Sequence, residues 1–191
     1  MTAEEIPEVC EMQEIPAETK EKEVAIEQEI VEYEATPIEA TVYEIASYPG
    51  TKKWMDYRCF SNGTAQELLQ QYAVTDSFGL RQVNGSYCVA IGSRFNAEIG
   101  QRFDLILENG VLIPCVMGDM KADIHTDATN TFTNVNKNLC CSEFIVSEDD
   151  IPSAVSKRGD TSFVSDIWQS PVARIVVYNI NILEELKEVG T

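Results

Sequence analysis

The sequence predicts a small, mainly-β domain, a closed barrel of six or seven short strands with two helical inserts, behind a disordered acidic arm. Three observations predict it. From residue 52 onward the apolar segments are short and punctuated by Gly and Asn. Two Asn-Gly pairs, Asn84-Gly85 and Asn109-Gly110, each sit between apolar runs, and Asn-Gly readily takes the positive φ angles of a tight reversal. No strand–helix–strand alternation of the kind that builds a parallel α/β sheet is present. A length of 191 residues suits one ordinary domain with an appendage, expected at 52–191 and 1–51 respectively.

The arm is set apart by its charge. Residues 1–47 hold 14 Glu against two Lys, so −12 of the net charge of −18 belongs to this stretch. With Pro at positions 7, 16 and 37 and few clustered apolar residues, it cannot bury enough surface to offset chain entropy and reads as disordered. A helical patch near residues 20–34 is its one candidate regular feature; the stretch is read as a solvated linker, the functional alternative being an anionic spacer or an arm for an unknown protein partner.

Residues 54–60 form a strand. Thr64-Ala-Gln-Glu67 is a capping-box pattern opening a short helix through Tyr72, with Leu68, Leu69 and Tyr72 on its buried face. Residues 80–83 with 87–91, and 102–107 with 111–117, form two hairpins around the Asn-Gly pairs. A long polar stretch, 118–138, leads to another strand at 140–146, and loops of that length are often functional. Ser147-Glu-Asp-Asp150 caps a second helix to about Lys157, residues 159–171 connect, and β-branched residues 172–181 make a closing strand. A barrel is expected over a sandwich because closure removes free edges.

Composition excludes several function classes. Without clustered Lys and Arg to displace counterions, nucleic-acid binding is not expected. The longest apolar stretches fall far short of the roughly 20 residues a membrane-spanning helix needs. The first residues show no basic segment followed by an apolar one, so no secretory signal is expected, and by sequence alone the expected setting is cytoplasmic or phage-associated. The six cysteines, Cys10, Cys59, Cys88, Cys115, Cys140 and Cys141, have no regular spacing and are read as reduced, mostly buried thiols. No CxxC pair occurs and His125 has no cysteine close in sequence, so no metal is expected. Cys115 and Cys140 are nucleophile candidates only by default, packing being the stronger reading. A monomer is expected.

The richest chemistry lies in Asp119-Met-Lys-Ala-Asp123-Ile-His125-Thr126-Asp127-Ala-Thr-Asn130, where three aspartates recur at four-residue spacing. A helix would stack those charges, so a loop is expected. Asp119 directly follows an apolar strand; at its mouth, desolvation and a neighbouring carboxylate would raise its pKa, as a general acid requires. The alternative is a turn cap bonded to local amides, a role that also suits Asp123 and Asp127. His125 is either a proton carrier or a structural hydrogen-bonding group. Calcium would suit the loop oxygens, but the spacing lacks the central Gly and terminal Glu of an EF-hand loop. Glu143 stands in an otherwise apolar strand, where alternation sets Phe144 and Val146 on one face and Glu143 with Cys141 and Ile145 on the other. If that strand lies beside the one ending at Asp119, two carboxylates converge as glycosidic-bond cleavage requires, about 5 to 9.5 Å apart.

Tyr87-Cys-Val-Ala-Ile-Gly, Ile99-Gly-Gln-Arg-Phe-Asp-Leu, Asn109-Gly, Gly118-Asp119 and Cys141-Ser-Glu143-Phe-Ile-Val succeed one another in an order that resembles the double-psi β-barrel domains of the rare-lipoprotein-A and three-aspartate type. The resemblance covers about residues 57–178. It implies a six-stranded double-psi barrel and a lytic transglycosylase-like activity on peptidoglycan glycan strands, or binding of these or another carbohydrate. No cofactor is needed, and a cell-envelope location follows from the likeness. It puts Asp119 at the family's catalytic aspartate and Glu143 at its second acid, with Thr126 and Asp127 lining the cleft; Asp123, His125 and Asn130 complete the expected substrate-binding set. Met120-Lys121 stands where Thr-Gly or Arg-Gly is usual, and Glu143 where Asp is usual. Some such barrels have no known activity, so the alternative is an inactive binding or structural module of a phage or mobile-element protein.

Overall fold

The computed structural model describes residues 38–46, 50–133 and 139–189. The chain divides into two units, residues 1–37 and 38–191. The first, with the helical patch expected at 20–34, lies outside the described residues. The second is mainly β, with nine strands in one hydrogen-bonded sheet and three α-helices among the described residues.

The strands are β1 (Ala40–Glu44), β2 (Lys53–Asp56), β3 (Val74–Thr75), β4 (Arg81–Val83), β5 (Ser86–Gly92), β6 (Gln101–Leu107), β7 (Leu112–Lys121), β8 (Glu143–Val146) and β9 (Val172–Asn181). The helices are α1 (Ala65–Tyr72), α2 (Ser153–Arg158) and α3 (Ile182–Val189). The sheet runs β1-β9-β6-β7-β5-β4-β3, with β8 joining β5 and β2 joining β8. Among the described residues its three free ends, β1, β3 and β2, do not pair with one another, so hydrogen bonds do not close it into the expected barrel. β5 is the hub. One edge runs parallel to β7, while the other is shared in succession by β4, at Ser86 and Tyr87, and β8, at Val89 and Ala90.

Strand β1 lies within the segment expected to be disordered. Ala-Thr-Val-Tyr-Glu is short, β-branched and aromatic, and it pairs antiparallel with β9 along its whole length, so the folded unit starts before residue 52. Both hairpins form, by different turns. Asn84 and Gly85 take φ of 48° and 76°, the paired positive angles of a two-residue reversal. In the second, only Gly110 is left-handed, at 84°, with Gly110 N donating to Leu107 O and Leu107 N to Val111 O; this is a three-residue loop closed by a glycine bulge.

Elsewhere local hydrogen bonds move the boundaries. The strand expected at 54–60 stops at Asp56, whose carboxylate accepts from Arg58 N and starts a 3-10 turn at Tyr57–Cys59. Thr64 caps α1 through Glu67 N at 3.2 Å, but the returning Glu67 carboxylate reaches Gly63 N and not Thr64 N. Ser147 closes a turn onto Asp150, so α2 begins only after Pro152. α3, which follows β9 directly, was not anticipated.

Side-chain alternation along the sheet separates two apolar clusters. Val89, Ile91, Phe103, Leu105, Ile113, Cys115, Met117, Phe144 and Val146 share the main core with Trp168, whose ring lies 5.2 Å from that of Tyr87 and 5.4 Å from that of Phe144. Cys88, Val116 and Ile145 face the other way, against Leu69 of α1 and Ile182 and Leu183 of α3. Tyr72, expected beneath α1, is exposed, and Gln70 is buried in its stead. Lys52 is fully buried and donates to the carbonyls of Gly50, Trp168 and Ser170, tying the start of β2 to the connection before β9.

Candidate functional site

Asp119 does not sit at a strand mouth. β7 continues through it to Lys121, and its direction is set by one extra residue. Val89 is in register with Met117, yet Ala90 is in register with Asp119; Gly118 is the bulged residue between them. Strict alternation after Ile113, Cys115 and Met117 would turn Asp119 toward the main core. The bulge re-aims it to the opposite face. A larger residue there would have to displace the end of the Ile145 side chain, since a Cβ at 118 would stand 2.3 Å from Ile145 Cδ1.

Glu143 opens β8 and is in register with the same residue, Ala90, from the other side. The expected adjacency of β7 and β8 is therefore corrected: β5 lies between them. Asp119, Ala90 and Glu143 form a row across three strands on the face shared with Cys88 and Ile145. Two strand spacings separate the acidic residues' backbones, about 10 Å. Cys141 does not share this face. The chain bends there before β8 begins, and its side chain joins the main core.

Two residues that sequence reasoning did not select complete the row. Lys121 is ion-paired with Glu143, both side chains 15% exposed. Its register partner is Gly92, and with Ala90 beyond, no bulky side chain stands between the ammonium and β8. Burial lowers the Lys121 pKa, opposed by the Asp119 carboxylate and by Cys140 and Cys59. Gln66 of α1 donates from Nε2 to Asp119 Oδ1 at 3.1 Å. The position of Lys121, two residues after Asp119 on one strand, was the available signal; Gln66 left none. Burial raises the Cys59 pKa, with Asp119 and Asp56 adding to the effect, and burial likewise raises Cys140 and Cys115, which lies in the main core.

The acidic loop is organised by its own turns. Asp123 begins a 3-10 turn, Asp123–His125, and accepts from Ser93 Oγ at 2.6 Å. His125 is exposed on that turn. Thr126 Oγ1 bonds Asp123 O at 2.9 Å and Asn130 Oδ1 at 3.0 Å. Asp127 accepts from the amides of Thr131 and Phe132 and from Thr129 Oγ1. Desolvation alone would raise its pKa, but these bonds hold it below the usual carboxylate range. Asp127 is thus the turn cap that the sequence offered as an alternative. The loop nonetheless borders the row. Asn130 O lies 1.9 Å from where a Cβ on Gly92 would stand, on the side toward which Lys121 projects.

The face thus combines one acid held by a neutral amide, one acid held by an ammonium, and a polar loop against its edge. Among the described residues no group of three or more His, Cys, Asp or Glu is arranged to hold a metal ion, and no helix is long and apolar enough to cross a membrane. Comparison with family models, curated proteins and solved structures gives no match to this chain.

Proposed function

We propose that the Asp119–Ala90–Glu143 face processes a glycan, with peptidoglycan strands as the substrate class, on a double-psi type of barrel. Asp119 protonates the leaving glycosidic oxygen as its bond to the anomeric carbon breaks, and Glu143, in its ion pair with Lys121, stabilises the positive charge that develops on the sugar. The sugar's own C6 hydroxyl then closes on the anomeric carbon, returning its proton to Asp119. The observation that carries this reading is the shared register of both acids with Ala90. It gives two carboxylates on one face with unlike partners, Gln66 for one and Lys121 for the other, the kind of difference that separates acid from base roles. Thr126 and Asn130, at the border of the row, are the substrate-binding candidates. The barrel reading draws support from the parallel pairs β5–β7 and β2–β8 in an otherwise antiparallel sheet.

The test is incubation of the purified chain with cell-wall sacculi and analysis for anhydro-muropeptides. The expected result is product with the native chain and none with Asp119→Asn. Product that survives this substitution removes Asp119 from the acid role. A second reading, a module that binds glycan or protein without turnover, is favoured by the Lys121–Glu143 pair itself, which already engages one of the two acids. It predicts sedimentation with sacculi, no product, and no change on Asp119→Asn.

A further inference from the structure

Away from the acidic row, the surface formed by β1, the start of β6 and the end of β9 carries two adjoining clefts of about 530 and 280 Å³ that share Asn96, Gln101 and Asn179. The first is in the size range of small-ligand sites, about 300–1,000 Å³. Its floor is fixed. Gln101 accepts from Glu98 N and donates to Tyr178 O. Tyr178 donates its hydroxyl to the buried Asp104, and Tyr43 stands edge-on to Phe95 at 5.3 Å. The rim is different. The amide side chains of Asn96 and Asn179 are exposed and have no hydrogen-bond partner among the described residues. Asn96 is held in a left-handed conformation at φ 48° as the cap of the 3-10 turn Ser93–Phe95.

Chemistry narrows what such a trough accepts. Each free amide offers both donors and an acceptor, which matches hydroxyls that must replace their water bonds on binding. No Lys or Arg lines either cleft, while Glu39 and Glu98 do; Arg102 lies against the Tyr178 ring. Anions are thereby disfavoured. Tyr43 and Tyr178 also line the first cleft, and a floor held by internal bonds lowers the ordering cost of binding. We propose that this trough is a binding site for an uncharged oligosaccharide, held by Asn96 and Asn179 and independent of the Asp119 face.

The test is side-chain amide NMR of the full chain titrated with chitotetraose, cellotetraose and maltotetraose, with inorganic phosphate as the anionic comparison. The expected result is saturable shifts of the Asn96 and Asn179 amides with at least one of the sugars and none with phosphate. Affinity should fall at least tenfold in the Asn96→Ala, Asn179→Ala double variant and stay unchanged in Asp119→Asn. No shift with any of the three sugars, shifts reproduced by phosphate, or shifts confined to the Asp119 face overturn the proposal. Because Asp119→Asn is read separately, failure here is distinct from failure of the proposed glycan cleavage.

Discussion

The strand row and the acidic loop both gather carboxylates near the end of β5, yet they use them differently. In the loop, Asp127 spends its oxygens on two backbone amides and a hydroxyl within five residues of itself. In the row, Asp119 and Glu143 meet partners from other elements, Gln66 of α1 for the first and Lys121 of β7 for the second. The difference teaches that clustering along the chain favours local turn chemistry, whereas register across a sheet brings acids to a common face, each with a partner from another element.

The strongest way to break the comparison is to push the loop off the row. Gly92→Ala places a methyl where Asn130 O now lies, at 1.9 Å, and backbone has to move. A loss of about 3 kcal/mol in urea unfolding is expected, with faster hydrogen exchange at the Thr131 and Phe132 amides. Unchanged exchange would mean that the loop does not rest on β5. Next in size is Lys121→Met, which leaves Glu143 mostly buried without its ammonium. About 1–2 kcal/mol is expected, less than for a fully buried pair because both side chains keep some solvent contact.

Asp127→Asn sharpens the loop side. Its folded pKa is depressed by its hydrogen bonds, so its contribution to stability is present above the unfolded value of about 3.9 and is lost as pH falls through the lower folded value. The variant is expected to cost about 1 kcal/mol at neutral pH and to flatten this part of the acid unfolding curve. An unaltered acid limb would contradict the capping role. Asp123→Ala, which loses one exposed bond from Ser93, is expected to change stability by less than about 0.5 kcal/mol; a larger loss would make the turn a structural element of the sheet.

The sequence made the mainly-β class and both hairpins legible, because Asn84-Gly85 and Asn109-Gly110 carry their turn chemistry locally. It also gave the bounds of β9, a β-branched run that ends where α3 takes over. What it hid was non-local. β1 looked like acidic tail because its partner, β9, is more than a hundred residues away. Convergence of the two acids was conditional on adjacent strands, but β5 intervenes, and nothing along the chain marks Gly118 as the residue that turns Asp119 over. Along the chain Lys121 stands out only as an odd neighbour of Asp119, since its partner Glu143 is brought near by sheet topology alone.

The account rests on register placing β7 and β8 side chains together across β5. A double-mutant cycle of Lys121→Met and Glu143→Gln, read by urea unfolding, tests it most directly. A coupling of about 1–2 kcal/mol between the two substitutions is the predicted result. Additive losses, within about 0.3 kcal/mol of the sum of the single variants, would contradict the row and with it the site.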